Sequence, residues 1–132
     1  EGFVPTPRSV EGRYPISISF GLESSNDVVQ QYCVNKGRRL KDYLIAFDML
    51  RRKNLHYDCY VLLGKLFMTA REDVEDAIAT IKLAVDNGAE YVFVMVTNMV
   101  SYSLTSYLHE RGRYNLPSTW RAAERCEGLP HY

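Results

Sequence analysis

The sequence predicts an α/β fold with parallel strands, and three observations carry that reading. Three short β-branched and aromatic runs have strand length: "YPISISFGL" from Tyr14 to Leu22, "YDCYVLLG" from Tyr57 to Gly64 and "YVFVMVTN" from Tyr91 to Asn98. Helical patterns separate them, so successive strands are joined by right-handed crossovers and run parallel. The third run is apolar on both faces, which suits a parallel sheet covered by helices on one side and facing filled core on the other.

The first helix is expected from about Asn26 to Asn35, closed by "NKG", with Ser24 or Ser25 as its N-cap and Asn26 and Asp27 in its first turn. A second runs from about Leu40 to Lys53 and turns Tyr43, Phe47 and Leu50 inward. After the second strand, Thr69 and Glu72 have capping-box spacing. Val74, Ala77, Ile78, Ile81 and Val85 then form one face, and Asn87-Gly88 stops the helix. A helix from about Ser103 to Arg111 follows the third strand, then "GRYNLP", then a last helix capped by Ser118 that carries Trp120.

These β/α units recur about every 35 to 40 residues, within the range of a barrel or doubly wound sheet. A closed barrel takes about eight strands and roughly 250 residues. The 132-residue chain is therefore read as a single partial (β/α) barrel domain, residues 1–132, an incomplete TIM-like barrel of about three units with an extended N-terminal segment over 1–13. Such a piece leaves sheet edges and an apolar concave face uncovered, so a partner surface is expected. That surface is either a missing N-terminal half of the same domain or a second copy in a homodimer.

Composition narrows the function classes. Sixteen basic and sixteen acidic residues balance, and only "GRR" at Gly37–Arg39 and "RRK" at Arg51–Lys53 cluster positive charge. That distribution gives no support to a strongly electrostatic nucleic-acid binder. No run approaches the roughly 18 apolar residues of a membrane span and the N-terminus has no signal core, so the expected location is cytoplasmic. Cys33, Cys59 and Cys126 lack CxxC spacing, and His56, His109 and His131 lack i, i+4 pairing, so no metal site is expected.

In parallel α/β folds ligands gather at the C-terminal strand ends. Those ends carry Gly21, Glu23, Ser24 and Ser25, then Gly64 and Lys65, then Thr97 and Asn98. Glu23 is the most informative of them. A carboxylate directly after "ISISFGL" is costly to bury unpaired, so it meets solvent, a cation such as Lys36 or Lys65, or ligand hydroxyls.

Taken in order, "GLESSNDVVQQYCVNKG", "YVLLGKLFMTAREDVEDAIATIK" and "NGAEYVFVMVTNMVSYSLTSYLHERGRYNLPSTWRAAE" resemble the second half of a radical S-adenosylmethionine domain. The likeness runs from Ile16 to Glu124. It is nearest to the tRNA-modifying branch that contains the elongator catalytic subunit and the archaeosine-synthesis radical enzymes.

The resemblance implies a cofactor site for S-adenosylmethionine. Glu23, with Ser24 beside it, would meet the ribose or methionyl part, Lys36 the methionyl carboxylate, and Leu62, Leu63 and Gly64 the adenine. Lys65 and Asn98 would stand on the substrate side. The family's four-iron four-sulfur cluster needs a CxxxCxxC trio, which this sequence lacks, and Leu66 replaces the proline of the family's "GKPF". The cluster is therefore expected only in a half upstream of Glu1, and the chain is not expected to be active alone.

The leading expectation is thus the C-terminal part of a radical S-adenosylmethionine iron-sulfur oxidoreductase that abstracts hydrogen in the full-length protein. RNA is a candidate substrate that the charge pattern does not support. The alternative is a non-catalytic half-barrel scaffold or subunit that self-associates. A barrel lyase or hydrolase using Glu23 and Lys65 as acid and base ranks last.

Overall fold

The computed structural model describes residues 16–117. The last helix expected from Ser118, and the N-terminal segment 1–13, lie outside them. The order is β1 (Ser17–Glu23), α1 (Asp27–Val29), which continues as a π-helical turn over Gln30–Val34, α2 (Leu40–Arg52), β2 (His56–Leu63), α3 (Ala70–Asp86), β3 (Tyr91–Val96) and α4 (Leu104–Glu110). The strands form one parallel sheet in the order β1-β2-β3. The architecture is α/β, with three parallel strands and four α-helices among the described residues.

Both long helices cover the same face of the sheet. Phe47 and Tyr43 of α2 meet Leu22, Tyr57 and Cys59, while Ala77 of α3 meets Val61 and Leu63. Phe47 and Tyr57 stack with ring centroids 4.6 Å apart, and Phe20 approaches both edge-on. Aromatic contacts of this geometry add about 0.5–1.5 kcal/mol each beyond simple burial.

Thr69 and Glu72 form the expected capping box: the Thr69 hydroxyl accepts from Glu72 N, and the Glu72 carboxylate accepts from Thr69 N. The buried residues of α3 are Asp73, Ala77, Thr80 and Ala84, with Val74 and Ile81 packed at their margin. The inward stripe therefore includes polar side chains that apolar periodicity passes over.

The opposite face of the sheet is open. Tyr91, Phe93 and Met95 of β3 remain 59%, 43% and 49% exposed, and Phe93 stacks on Tyr60 of β2. The third strand is thus covered on one face only, whereas its two apolar faces had suggested cover on both.

Candidate functional site

A bulge builds the end of β1. Gly21 pairs with Tyr60 and Glu23 with Val61, so β1 carries one residue more than β2 over this step. Glu23 takes a left-handed backbone conformation, φ 61°, which costs a residue with a side chain about 1–3 kcal/mol and persists where neighbours hold it. The bulge re-aims its carboxylate. Glu23 Oε1 and Lys36 Nζ lie 3.2 Å apart, and both occupy the space that a side chain at Gly21 would fill. The Gly21 carbonyl accepts from Lys36 Nζ and from the Tyr43 hydroxyl. Of the two cations that sequence offered to Glu23, the fold supplies Lys36.

Lys36 reaches this position through the π-helical turn. The turn ends at Asn35, left-handed with φ 60°, so Asn35 rather than Gly37 supplies the reversal in "NKG". Gln30, 1% exposed, donates from Nε2 to the carbonyls of Leu22 and Ser24 and so grips the backbone on either side of Glu23.

Several sequence expectations are corrected here. Asn26, not Ser24 or Ser25, caps α1, since its Oδ1 accepts from Val28 N and Val29 N. Ser24 is fully buried, and its hydroxyl donates to Asp76 Oδ1 of α3 at 2.8 Å. Lys65 is not open to substrate: its side chain is fully buried, 2.7 Å from Asp73 Oδ1 and 3.3 Å from Asp76 Oδ2. Leu63 turns into the helix-side core. The Gly64 N–H donates to Asp73 Oδ2, and its carbonyl accepts from the hydroxyls of Thr97 and Tyr114, so these backbone groups are already engaged.

Gly64 has φ 95°, and a Cβ there would lie 2.9 Å from Pro117 Cδ, so only glycine fits beneath "GRYNLP". A cleft of about 840 Å³ opens beside this contact, between the start of α3 and residues 112–117.

The reachable members of the expected site are Glu23, Lys36, Leu62 and Asn98. Register places Leu62 beside Met95 on the open face, with the Tyr60–Phe93 stack one step below. Asn98 is exposed just past β3. Asp73, Asp76 and Gln30 were missed as functional candidates. The signal for the two acids was their i, i+3 spacing on the buried face of α3, beside Ala77 and Thr80, and Gln30 had none.

Among the described residues, no group of three or more His, Cys, Asp or Glu side chains is arranged to hold a metal ion. Cys59 is buried in the core, where burial first and the Asp58 charge second push its thiol from an ordinary 9.0 up to about 12. No helix among the described residues is long and apolar enough to cross a membrane.

No family model matches the chain. It is 29% identical to the archaeosine synthase subunit beta of Methanosarcina acetivorans over 113 residues, 83% of this chain and 32% of that protein. It is 28% identical to the archaeosine synthase subunit beta of Thermococcus kodakarensis over 107 residues, 81% of this chain and 33% of that one. A third relative, an uncharacterized protein of Methanocaldococcus jannaschii, is 22% identical over 83% of this chain and 30% of its own length. The chain thus spans about a third of the length of the curated relatives it matches, and over most of its own length it is similar to archaeosine synthase beta subunits.

Proposed function

We propose that the chain forms the cofactor wall of a radical S-adenosylmethionine enzyme of archaeosine-type tRNA modification, acting in the cytosol. The three parallel β/α units would be the second part of a (β/α) barrel, completed by a cluster-bearing half or by a partner subunit. The observation that carries this reading is the Glu23–Lys36 pair at the end of a parallel strand, bordering an open aromatic face. Similarity to archaeosine synthase beta subunits supports the tRNA context.

The residues suit S-adenosylmethionine. Lys36 occupies one oxygen of Glu23, and a carboxylate has acceptor capacity beyond that for vicinal ribose hydroxyls. The Lys36 ammonium has three donors, of which Gly21 O and Glu23 Oε1 take two, so the third can meet the methionyl carboxylate. Leu62, Met95 and the Tyr60–Phe93 stack offer apolar contact to a purine. Among the described residues, the two cysteines do not suit an iron-sulfur cluster, because Cys33 and Cys59 belong to separate elements and Cys59 is buried. In the full-length protein the cofactor would supply radical hydrogen abstraction. The role of this chain is to bind, orient and shield it.

Titration of the full-length protein with S-adenosylmethionine tests the reading. Glu23→Gln is expected to weaken binding by about tenfold or more, since a charge-assisted acceptor is lost. Unchanged affinity in that variant would overturn the assignment, as would an upstream sequence without CxxxCxxC.

A second reading draws on the exposed Tyr91, Phe93 and Met95: a non-catalytic half-barrel that buries this face against another copy. It predicts a dimer on sizing that Phe93→Asp dissociates.

A further inference from the structure

Behind the sheet, the loops that end β1 and β2 are joined by one buried polar chain. Ser24 donates to Asp76 Oδ1, Lys65 lies 3.3 Å from Asp76 Oδ2 and 2.7 Å from Asp73 Oδ1, and Asp73 accepts from the backbone N–H of Gly64 and of Lys65. Lys65 also donates to Leu62 O at 2.6 Å. One turn further along α3, Thr80 accepts from Ser25 N at 2.8 Å. Two carboxylates and one ammonium are thus buried together, and every partner lies in one of the two loops, on α3 or, for Leu62 O, at the end of β2.

An arrangement of this kind is a poor way to gain stability, because desolvating the charges offsets most of their attraction. It is a good way to fix geometry, since its members bond one another and the adjoining backbone, Asp76 Oδ2 alone among them making no hydrogen bond to the described residues and facing Lys65 only as an ion pair. What it fixes is the residue after Glu23. Gln30 holds the carbonyls of Leu22 and Ser24, Asp76 holds the Ser24 hydroxyl, and Glu23 sits left-handed between them.

We infer that Lys65, Asp73 and Asp76 form a tie through which α3 locks the β1-end and β2-end loops together, and that Asp76 and Gln30 are positioning residues for the Glu23 carboxylate. Lys65 then acts on the mouth from behind and touches no ligand. The part concerning Glu23 as a ligand contact rests on the proposed function, whereas the coupling of the two loops does not.

Two measurements on the full-length protein separate these. The first is amide hydrogen exchange without ligand. Lys65→Met is expected to speed exchange by about tenfold in both loops, at Ser25 and Asn26 as well as at Gly64, while the β2 core amides stay protected. Ser24→Ala, which removes only a hydroxyl, is the milder variant, and its effect is expected to appear across the tie at Gly64. Acceleration confined to the substituted loop in both variants overturns the tie.

The second is S-adenosylmethionine affinity. Asp76→Ala is expected to weaken binding as Glu23→Gln does, by about tenfold. Asp76→Asn keeps an oxygen for Ser24 and is expected to recover part of the loss. Phe47→Leu, a core variant that lowers the melting temperature, is expected to leave affinity unchanged. If Glu23→Gln weakens binding and Asp76→Ala does not, the positioning role is wrong. If neither variant weakens binding, the cofactor reading falls and exchange alone decides the tie.

Discussion

The two faces of the sheet use similar residues to opposite ends. On the helix side, Tyr57 and Cys59 beneath Phe47 and Ala84, and Val61 beneath Ala77, are at most 1% exposed, whereas on the other side Tyr91, Phe93 and Met95 stay roughly half exposed. The open set is the richer in aromatic rings, two against one, so hydrophobicity by itself did not decide burial. The crossover helices decided it, because both α2 and α3 pack on one face. The covered face also ends in charge, with Lys65, Asp73 and Asp76 closing it behind the strand ends.

The largest expected effect is at that charged end. Lys65→Met leaves two buried carboxylates without their cation and should cost about 3–5 kcal/mol, read as a shift of the denaturation midpoint. Phe47→Ala removes the ring stacked on Tyr57 and should cost a similar ~3–5 kcal/mol. Alkaline titration gives an independent measure of how closed this face is. Cys59 keeps its proton up to about pH 12 when folded but has an ordinary thiol value of 9.0 when unfolded. Unfolding therefore releases a proton between those values, and stability should fall as pH rises above about 9. Cys59→Ala should flatten that part of the profile, and an unchanged slope would mean the face admits water.

Smaller effects are expected away from the core. Thr69→Ala should cost about 1 kcal/mol by removing the α3 cap. The backbone hydrogen bond from Thr69 holds the Glu72 carboxyl below its usual range, so the carboxylate half of the box, separate from the Thr69 hydroxyl, should weaken as pH falls through the carboxylate range, and that pH dependence should vanish in Glu72→Gln. The smallest effect tests the other side of the comparison: Phe93→Ala should cost the monomer less than about 1 kcal/mol. A loss as large as that of Phe47→Ala would mean that the open face is covered in solution.

Much of the fold was legible because local rules and tertiary packing agreed. Three strands, the Thr69–Glu72 cap and the inward Phe47 all follow from spacing and chemistry that act within a few residues. Glu23 was legible for the same reason, as a carboxylate out of place at the end of an apolar run. Ser24 and Lys65 were misread because their partners, Asp76 and Asp73, lie on α3, and polar residues on a buried helix face break the apolar pattern that reveals it. The π-helical turn at Gln30–Val34 was also hidden, since no residue type in "QQYCV" prescribes it and its reward is the grip of Gln30 on a distant loop.

The hydrogen in place of a side chain at Gly21 has a consequence for how this segment can vary. Lys36 Nζ lies 2.6 Å from where a Cβ at position 21 would stand, so the two sites share one volume. A methyl group at 21 would displace the ammonium, which is the tip of a flexible side chain already 36% exposed and can swing outward only by leaving the Gly21 carbonyl and Glu23. The missing side chain at 21 is thus what lets Lys36 fold back onto the strand end, and one added methyl would release it toward solvent.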